Sequence, residues 1–113
     1  MVEYLPGSLD STFAALADPT RREILGALTG GEASVGQLAA PFEVSFQAIS
    51  KHIGVLADAG LVVREKRGRV QWVSLNPEPM RLCDEWLGDY RAFWDEQLDS
   101  LDAFLREREG EGR

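Results

Sequence analysis

The sequence predicts a mainly α-helical domain with one small β-hairpin and a long C-terminal helix. Three observations point there. Apolar residues recur at spacings of three and four through residues 8–59. Two runs rich in β-branched residues, 61–66 and 70–75, then flank Arg67-Gly68-Arg69 and mark a hairpin. From about Glu78 the helical pattern resumes and continues to about Arg108.

The first helix spans about Ser8 to Ala17. Ser8 or Asp10 caps it, because a short side-chain oxygen accepts from the unpaired N–H groups of the first turn. Leu9, Phe13 and Leu16 mark its buried face. Asp18 and Pro19 open the second helix, with Asp18 as N-cap and Pro19 where a missing N–H costs nothing. Ile24, Leu25 and Leu28 form its apolar stripe, and Gly30-Gly31 ends it. Ser34 and Gln37 make a capping box. The short helix it opens turns Val35, Leu38 and Ala39 inward, and Pro41 limits it to about two turns. Ser45 caps a fourth helix through Ala59, with Phe46, Ile49, Ile53 and Leu56 on its buried side and Gly60 as a left-handed stop. After the hairpin, Asn76-Pro77 caps and opens the last helix, roughly 45 Å long at 1.5 Å per residue. The closing Glu109 to Arg113 is expected to fray.

The chain has 113 residues, enough for one domain, and 44% are apolar, enough for one core. The expected organisation is a core over 8–75, with its hairpin at 61–75, and a C-terminal helix over 77–108 packing with 8–17. No run approaches the ~18 apolar residues of a membrane span. The opening Met1 to Pro6 lacks a basic region followed by an apolar stretch, so no signal peptide is expected and a cytoplasmic location is. The single cysteine, Cys83, excludes an internal disulfide and a cysteine-based metal cage within one chain.

The formal net charge is −7, which by itself argues against a nucleic-acid partner. The distribution reverses that inference. Residues 1–43 carry −4 and residues 76–113 carry −6, but residues 44–75 carry +3. A surface attracts through its local field, within a Debye length of ~8 Å.

Two helices joined by a short turn, the second opening with small polar residues and followed by a basic hairpin, describe a winged helix-turn-helix. An α-helix fits the DNA major groove, and residues near its N-terminus reach base edges. Off the apolar stripe of the fourth helix lie Gln47, Ala48, Ser50, Lys51 and His52. Gln pairs with adenine, Ala touches a thymine methyl, Ser donates or accepts, and Lys or His reaches guanine or phosphate. Ser45 sits where helix N–H groups attract phosphate. Lys66, Arg67 and Arg69 place the hairpin tip along the backbone or in the minor groove. No acid lies between Val44 and Val55.

The stretch Leu16-Ala17-Asp18-Pro19-Thr20-Arg21-Arg22-Glu23-Ile24-Leu25, with Ser50-Lys51-His52-Ile53, Val55-Leu56, Ala59-Gly60-Leu61-Val62 and Gly68-Arg69, resembles the ArsR/SmtB family of bacterial winged-helix repressors. The resemblance covers about residues 8–108. It implies four helices, two strands and a fifth helix in that order, a homodimer, a palindromic operator usually overlapping the promoter of the protein's own operon, and DNA reading by Ser45 through His52.

Many members of that family sense metals, through cysteines on the third helix or Asp and His ligands on the last. Here the third helix region reads Val35-Gly36-Gln37-Leu38-Ala39-Ala40 and the last helix has carboxylates without histidine. Transition-metal sites favour imidazole and thiolate, so no metal and no cofactor is expected. The segment 82–94 resembles the metal-independent branch, whose members respond to expression level, small ligands or redox state; the residues do not choose among these.

On the last helix Met80, Cys83, Leu87, Tyr90, Trp94, Leu98, Leu101 and Leu105 form a coiled-coil-like seam with one stutter. Leu82, Trp86, Phe93 and Phe104 widen it. One small domain cannot cover such a stripe. A second copy is the expected partner, with Leu9 and Phe13, and the strap of residues 1–7, alongside. The expected interface is Leu9, Phe13, Cys83, Trp86, Leu87, Tyr90, Phe93, Trp94, Leu98 and Leu101. Aromatic anchors suit an interface centre.

These features point to a homodimeric DNA-binding transcriptional repressor whose partner is a double-stranded operator. The competing expectation is a winged helix that binds protein and not DNA. An enzyme is not expected: there is no Gly-rich phosphate loop, and one His and one Cys leave little for acid–base or nucleophilic catalysis.

Overall fold

The computed structural model describes residues 5–111, with side chains described to residue 109. Of the expected N-terminal strap, residues 1–4 lie outside the described residues. The chain falls into two compact units, one up to Leu82 and one from Cys83.

The elements of the first unit follow the local signals closely. Helix α1 (Leu9–Leu16) is capped by Ser8, whose Oγ accepts from the Ser11 amide at 3.1 Å. Helix α2 (Pro19–Leu28) is capped by Asp18, whose Oδ1 accepts from the Thr20 and Arg21 amides at 2.8 and 3.1 Å. The Arg21 amide above all, then the Thr20 amide and the nearby positive charge, hold the Asp18 carboxyl below its ordinary 3.8. Helix α3 (Val35–Ala39) has the full capping box: Gln37 N–H donates to Ser34 Oγ at 3.1 Å and Ser34 N–H donates to Gln37 Oε1 at 2.9 Å. Helix α4 (Phe46–Asp58) is capped by Ser45, whose Oγ accepts from the Ala48 amide at 3.1 Å.

The sheet departs from the expected hairpin by one strand. Strand β1 (Ala33–Ser34) pairs antiparallel with β3 (Val70–Leu75), which pairs with β2 (Val62–Arg67), giving the order β1-β3-β2. A two-residue strand has no period of its own; it exists because Ala33 and Ser34 lie opposite Val73 and Trp72. The hairpin loop is also tighter than expected. Arg67 pairs with Val70, leaving two loop residues, and Gly68 takes φ 63°. A positive φ at the first central position is what a two-residue type II′ turn demands, and glycine meets it without strain.

Ile24, Ile49, Ile53, Leu56, Leu61 and Val73 are fully buried and form the centre of the core. Each such side chain contributes about 1.5–3 kcal/mol by leaving water. At the end of α4, Gly60 (φ 82°) meets the lead into α1: a Cβ there would lie 3.3 Å from the Gly7 nitrogen, and Gly7 N–H donates to the Ala59 carbonyl at 2.9 Å. Asn76 closes the same corner, its Nδ2 donating to the Gly60 carbonyl at 2.9 Å and its Oδ1 accepting from the Glu78 amide.

Two expected core positions are corrected. Phe46 is 53% exposed and Phe13 is 40% exposed. In α1 the buried residues are Ser11, Thr12 and Ala15, one turn-step round from the expected face. In α4 the apolar stripe outruns the core by one turn, so Phe46 stands at the helix start in solvent.

Helix α5 (Glu78–Glu111) is longer than expected, and the segment expected to fray is helical through Glu111; residues 112 and 113 lie outside the described residues. At 1.5 Å per residue its 34 residues span about 51 Å. In the second unit Cys83 is buried and Leu87 half-buried, while Trp86, Tyr90, Phe93, Trp94, Leu98 and Leu101 are exposed. Trp86 and Tyr90 stack tilted, ring centroids 5.2 Å apart. Asp84 pairs with Arg91, and Asp102 with Arg106 at 2.9 Å.

Ile53→Ala should cost about 2–5 kcal/mol in a urea unfolding measurement, the range for deleting a fully buried branched side chain. Asp18→Ala should destabilise at neutral pH. The lowered pKa means that the carboxylate's stabilisation is present above 3.8 and disappears as pH falls through the folded-state value. The gap in urea midpoint between wild type and variant should therefore close in acid.

Candidate nucleic-acid interface

Helix α4 presents three flanks around its buried Ile49, Ile53 and Leu56. Gln47, Lys51 and Gly54 face outward, with Gln47 and Lys51 exposed. Phe46 and Ser50 face the hairpin. Ala48, His52 and Val55 face α1 and α2. The burial of the opposite stripe sets all three, since neighbouring residues on a helix differ by about 100°.

The hairpin closes a cleft against the second flank. Phe46, Ser50, Lys66, Arg69 and Gln71, with Ser34 and Gly36 at the start of α3, line a hollow of about 480 Å³. A second, more open hollow runs along the outward flank, between Gln47, Lys51 and Gly54 and the Arg64 side chain; Arg64 Nη1 lies 3.8 Å from where a Cβ on Gly54 would be. Four cations, Lys51, Arg64, Lys66 and Arg69, thus border one continuous surface. Its acids are confined to Asp58, at the far end of α4.

The structure separates the expected site residues by environment. Gln47, Lys51, Lys66 and Arg69 are exposed, and Ser50 is half-buried on the cleft wall. Ser45 is exposed with its hydroxyl engaged as the α4 cap. Ala48 is half-buried. His52 is half-buried too, and its Nδ1 lies 3.3 Å from Arg21 Nη1. Nδ1 accepts that hydrogen bond when the ring proton sits on Nε2. Arg21 also donates from Nε to the Ala15 carbonyl at 2.6 Å and from Nη2 to the Ala14 carbonyl, while Arg22 donates to the Leu16 carbonyl at 2.7 Å. Both arginines thereby satisfy the C-terminal carbonyls of α1. Through Arg21, His52 ties α4 to the end of α1.

Arg67 differs from the other hairpin cations. Its guanidinium makes two bonds to Glu32, at 2.8 and 2.9 Å, and one to Glu65 at 3.0 Å, and it lies 5.7 Å from the Trp72 ring centre. Strand side chains alternate between faces. Arg67 and Glu65 therefore share the outer face with Trp72, and Arg64 and Lys66 share the α4 face with Gln71 and Val73. The Arg67 guanidinium holds the Glu32 carboxyl below the usual range, and the Glu32 and Glu65 carboxylates raise the Arg67 pKa in turn.

Three contributors were missed by sequence reasoning, Arg64 on the outward hollow among them. Phe46 presents an apolar ring at the head of the cleft, and Gln71 lines the cleft from the central strand. Phe46 carried the signal of a core residue. Gln71 was legible only through its register opposite Lys66. Among the described residues no group of three or more His, Cys, Asp or Glu is placed to hold a metal ion, and no helix is long and apolar enough to cross a membrane.

A helix with a polar, acid-free N-terminal face, packed beside a basic hairpin on a helical core, defines a winged helix-turn-helix protein. The comparisons agree with this class. A helix-turn-helix domain model matches residues 16–65. The transcriptional repressor SdpR of Bacillus subtilis is 33% identical over 79 residues, covering 70% of this chain and 88% of that protein. The HTH-type transcriptional regulator Rv2034 of Mycobacterium tuberculosis is 36% identical over 104 residues, covering 92% and 94%. A solved ArsR family transcriptional regulator is 39% identical and covers 84% of this chain and 97% of its own, with a TM-score of 0.72. The chain belongs to the ArsR/SmtB family of transcriptional regulators, and is not an enzyme.

The Arg21 contact makes one checkable demand on His52. In the neutral ring, nitrogen-detected NMR should find the Nε2–H tautomer almost alone, and Arg21→Ala should lower its share.

Proposed function

We propose that this protein is a cytoplasmic, homodimeric repressor that binds a palindromic operator, including that of its own operon. The observation that carries the proposal is the continuous surface formed by the outward flank of α4 and the basic hairpin. The outward flank of α4 enters the major groove. Gln47 and Ser50 read base edges, Lys51 takes guanine or phosphate, and Phe46 gives the apolar contact to a thymine methyl that half-buried Ala48, turned toward α1 and α2, is not placed to make. Lys66 and Arg69 hold the adjoining backbone, and the exposed head of α4 at Ser45 approaches phosphate. His52 holds α4 in place from behind.

The dimer rests on α5. Its aromatic and leucine stripe recurs at coiled-coil spacing and is between 42% and 64% exposed from Trp86 to Leu101 wherever it is not already half-buried. A second copy of the same helix covers it, with Leu9 and Phe13 contributing from α1. A two-fold pair then sets two recognition helices about one helical turn of DNA apart, or a multiple of it, which is why the operator is palindromic.

Selection of genomic fragments by the purified protein, followed by binding measurements across a salt series, tests the proposal. Lys66→Ala and Arg69→Ala should each weaken binding to all sequences and lower the slope of log K against log salt by about 0.9 per lost phosphate contact. Gln47→Ala should instead cost about 1–3 kcal/mol and relax preference at one base position per half-site. Unchanged slopes would favour a protein-binding winged helix. Sedimentation should give a dimer at micromolar concentration and a monomer for Trp94→Asp; a monomeric wild type would remove the palindrome.

A further inference from the structure

Arg67 has the residue type and position of a DNA contact, yet its surroundings assign it elsewhere. The bidentate bond to Glu32 joins residues 35 positions apart, and Glu65 and the Trp72 ring add contacts to a guanidinium that stays about half exposed. Arg forms such planar, two-point pairs where Lys cannot. Strand alternation sends Arg67 to the outer face of the sheet, away from the cleft that Lys66 lines. Glu32 lies in the segment between α2 and β1, so the pair links the hairpin tip to the part of the chain that leads into α3. β1 reaches no further along β3 than Trp72, so toward the tip the sheet continues as the β2–β3 ladder and the Gly68 turn.

We infer that Arg67 is a positioning residue for DNA binding and not a ligand of the phosphate backbone: with Glu32 it braces the outer face of the wing, so that Lys66 and Arg69 are held at fixed height over the cleft. The inference rests on the DNA-binding function proposed above. Arg67 stays paired with Glu32 when the operator is bound. The wing's two cations then meet the backbone without the ordering cost that a loose hairpin would add.

Charge exchange between the two positions distinguishes a brace from a ligand. Glu32→Gln should weaken operator binding about two- to fivefold, the scale of an exposed ion pair. It should have no further effect in a Lys66→Ala/Arg69→Ala background, where the wing tip has lost both cations that the brace positions. Arg67→Glu alone should weaken binding about tenfold through like-charge repulsion with Glu32 and Glu65. Glu32→Arg/Arg67→Glu restores an ion pair across the same gap and should return affinity to within about twofold of wild type, although position 67 is then acidic. Circular dichroism on each variant checks that the fold is kept, and the exposure of both side chains favours that.

If the exchanged variant binds as weakly as Arg67→Glu, Arg67 touches phosphate and the inference is overturned. If Glu32→Gln tightens binding, the carboxylate competes with DNA for Arg67 and the inference is likewise overturned. A wild-type protein that retains no DNA fragment would remove the DNA-binding function itself, which separates that failure from the other two.

Discussion

The burial of Ile49, Ile53 and Leu56 is the constraint on which the rest of this protein depends. These three residues of α4 are fully buried with Ile24, Leu61 and Val73, so one stripe of the helix belongs to the core of the first unit. Burying that stripe leaves no rotational freedom about the helix axis, because a turn of one residue would carry three branched side chains into water. The outward flank is thereby aimed by the burial of the opposite side. Gln47 and Lys51 are held in orientation by atoms on the other side of the helix.

Around that constraint the molecule places ties that act on α4 from each end. At its start, Ser45 satisfies the Ala48 amide. At its end, Gly60 lets the chain turn back so closely that Gly7 bonds to the Ala59 carbonyl. On the flank toward α1, His52 meets Arg21, whose other donors close the last carbonyls of α1. None of these groups needs to touch DNA to affect how it is read. The basic residues of the chain thus have separate roles. Arg21 and Arg22 complete a helix end, Arg67 joins two segments, and Lys51, Arg64, Lys66 and Arg69 border the open surface.

What was legible in the sequence follows from how local each cause is. The caps at Ser8, Asp18, Ser34 and Ser45 depend on groups within three residues; the last three stand where the sequence puts them, and the structure chooses Ser8 over Asp10 for the first. Strand β1 was not legible because its only cause is a partner strand nearly forty residues away. Phe46 and Phe13 were misassigned for a related reason: periodicity tells which side of a helix is apolar, but the edge of the core is set by what packs against it. The pairing of Arg67 with Glu32 was invisible for the same reason as β1. A cation at a hairpin tip looks the same in sequence whether it meets solvent, phosphate or a distant carboxylate.

The acidic flank of the sequence acquires a different meaning once α5 is seen as a helix with an exposed apolar stripe. Its acids outnumber its arginines and lie beside the stripe proposed to pair with a second copy. Two such helices brought together repel through their flanks while attracting through their stripe. Dissolved ions screen the repulsion and leave the apolar attraction intact, and the same ions weaken the grip of the basic surface on phosphate. In the proposed homodimer, ionic strength therefore pushes assembly and operator binding in opposite directions.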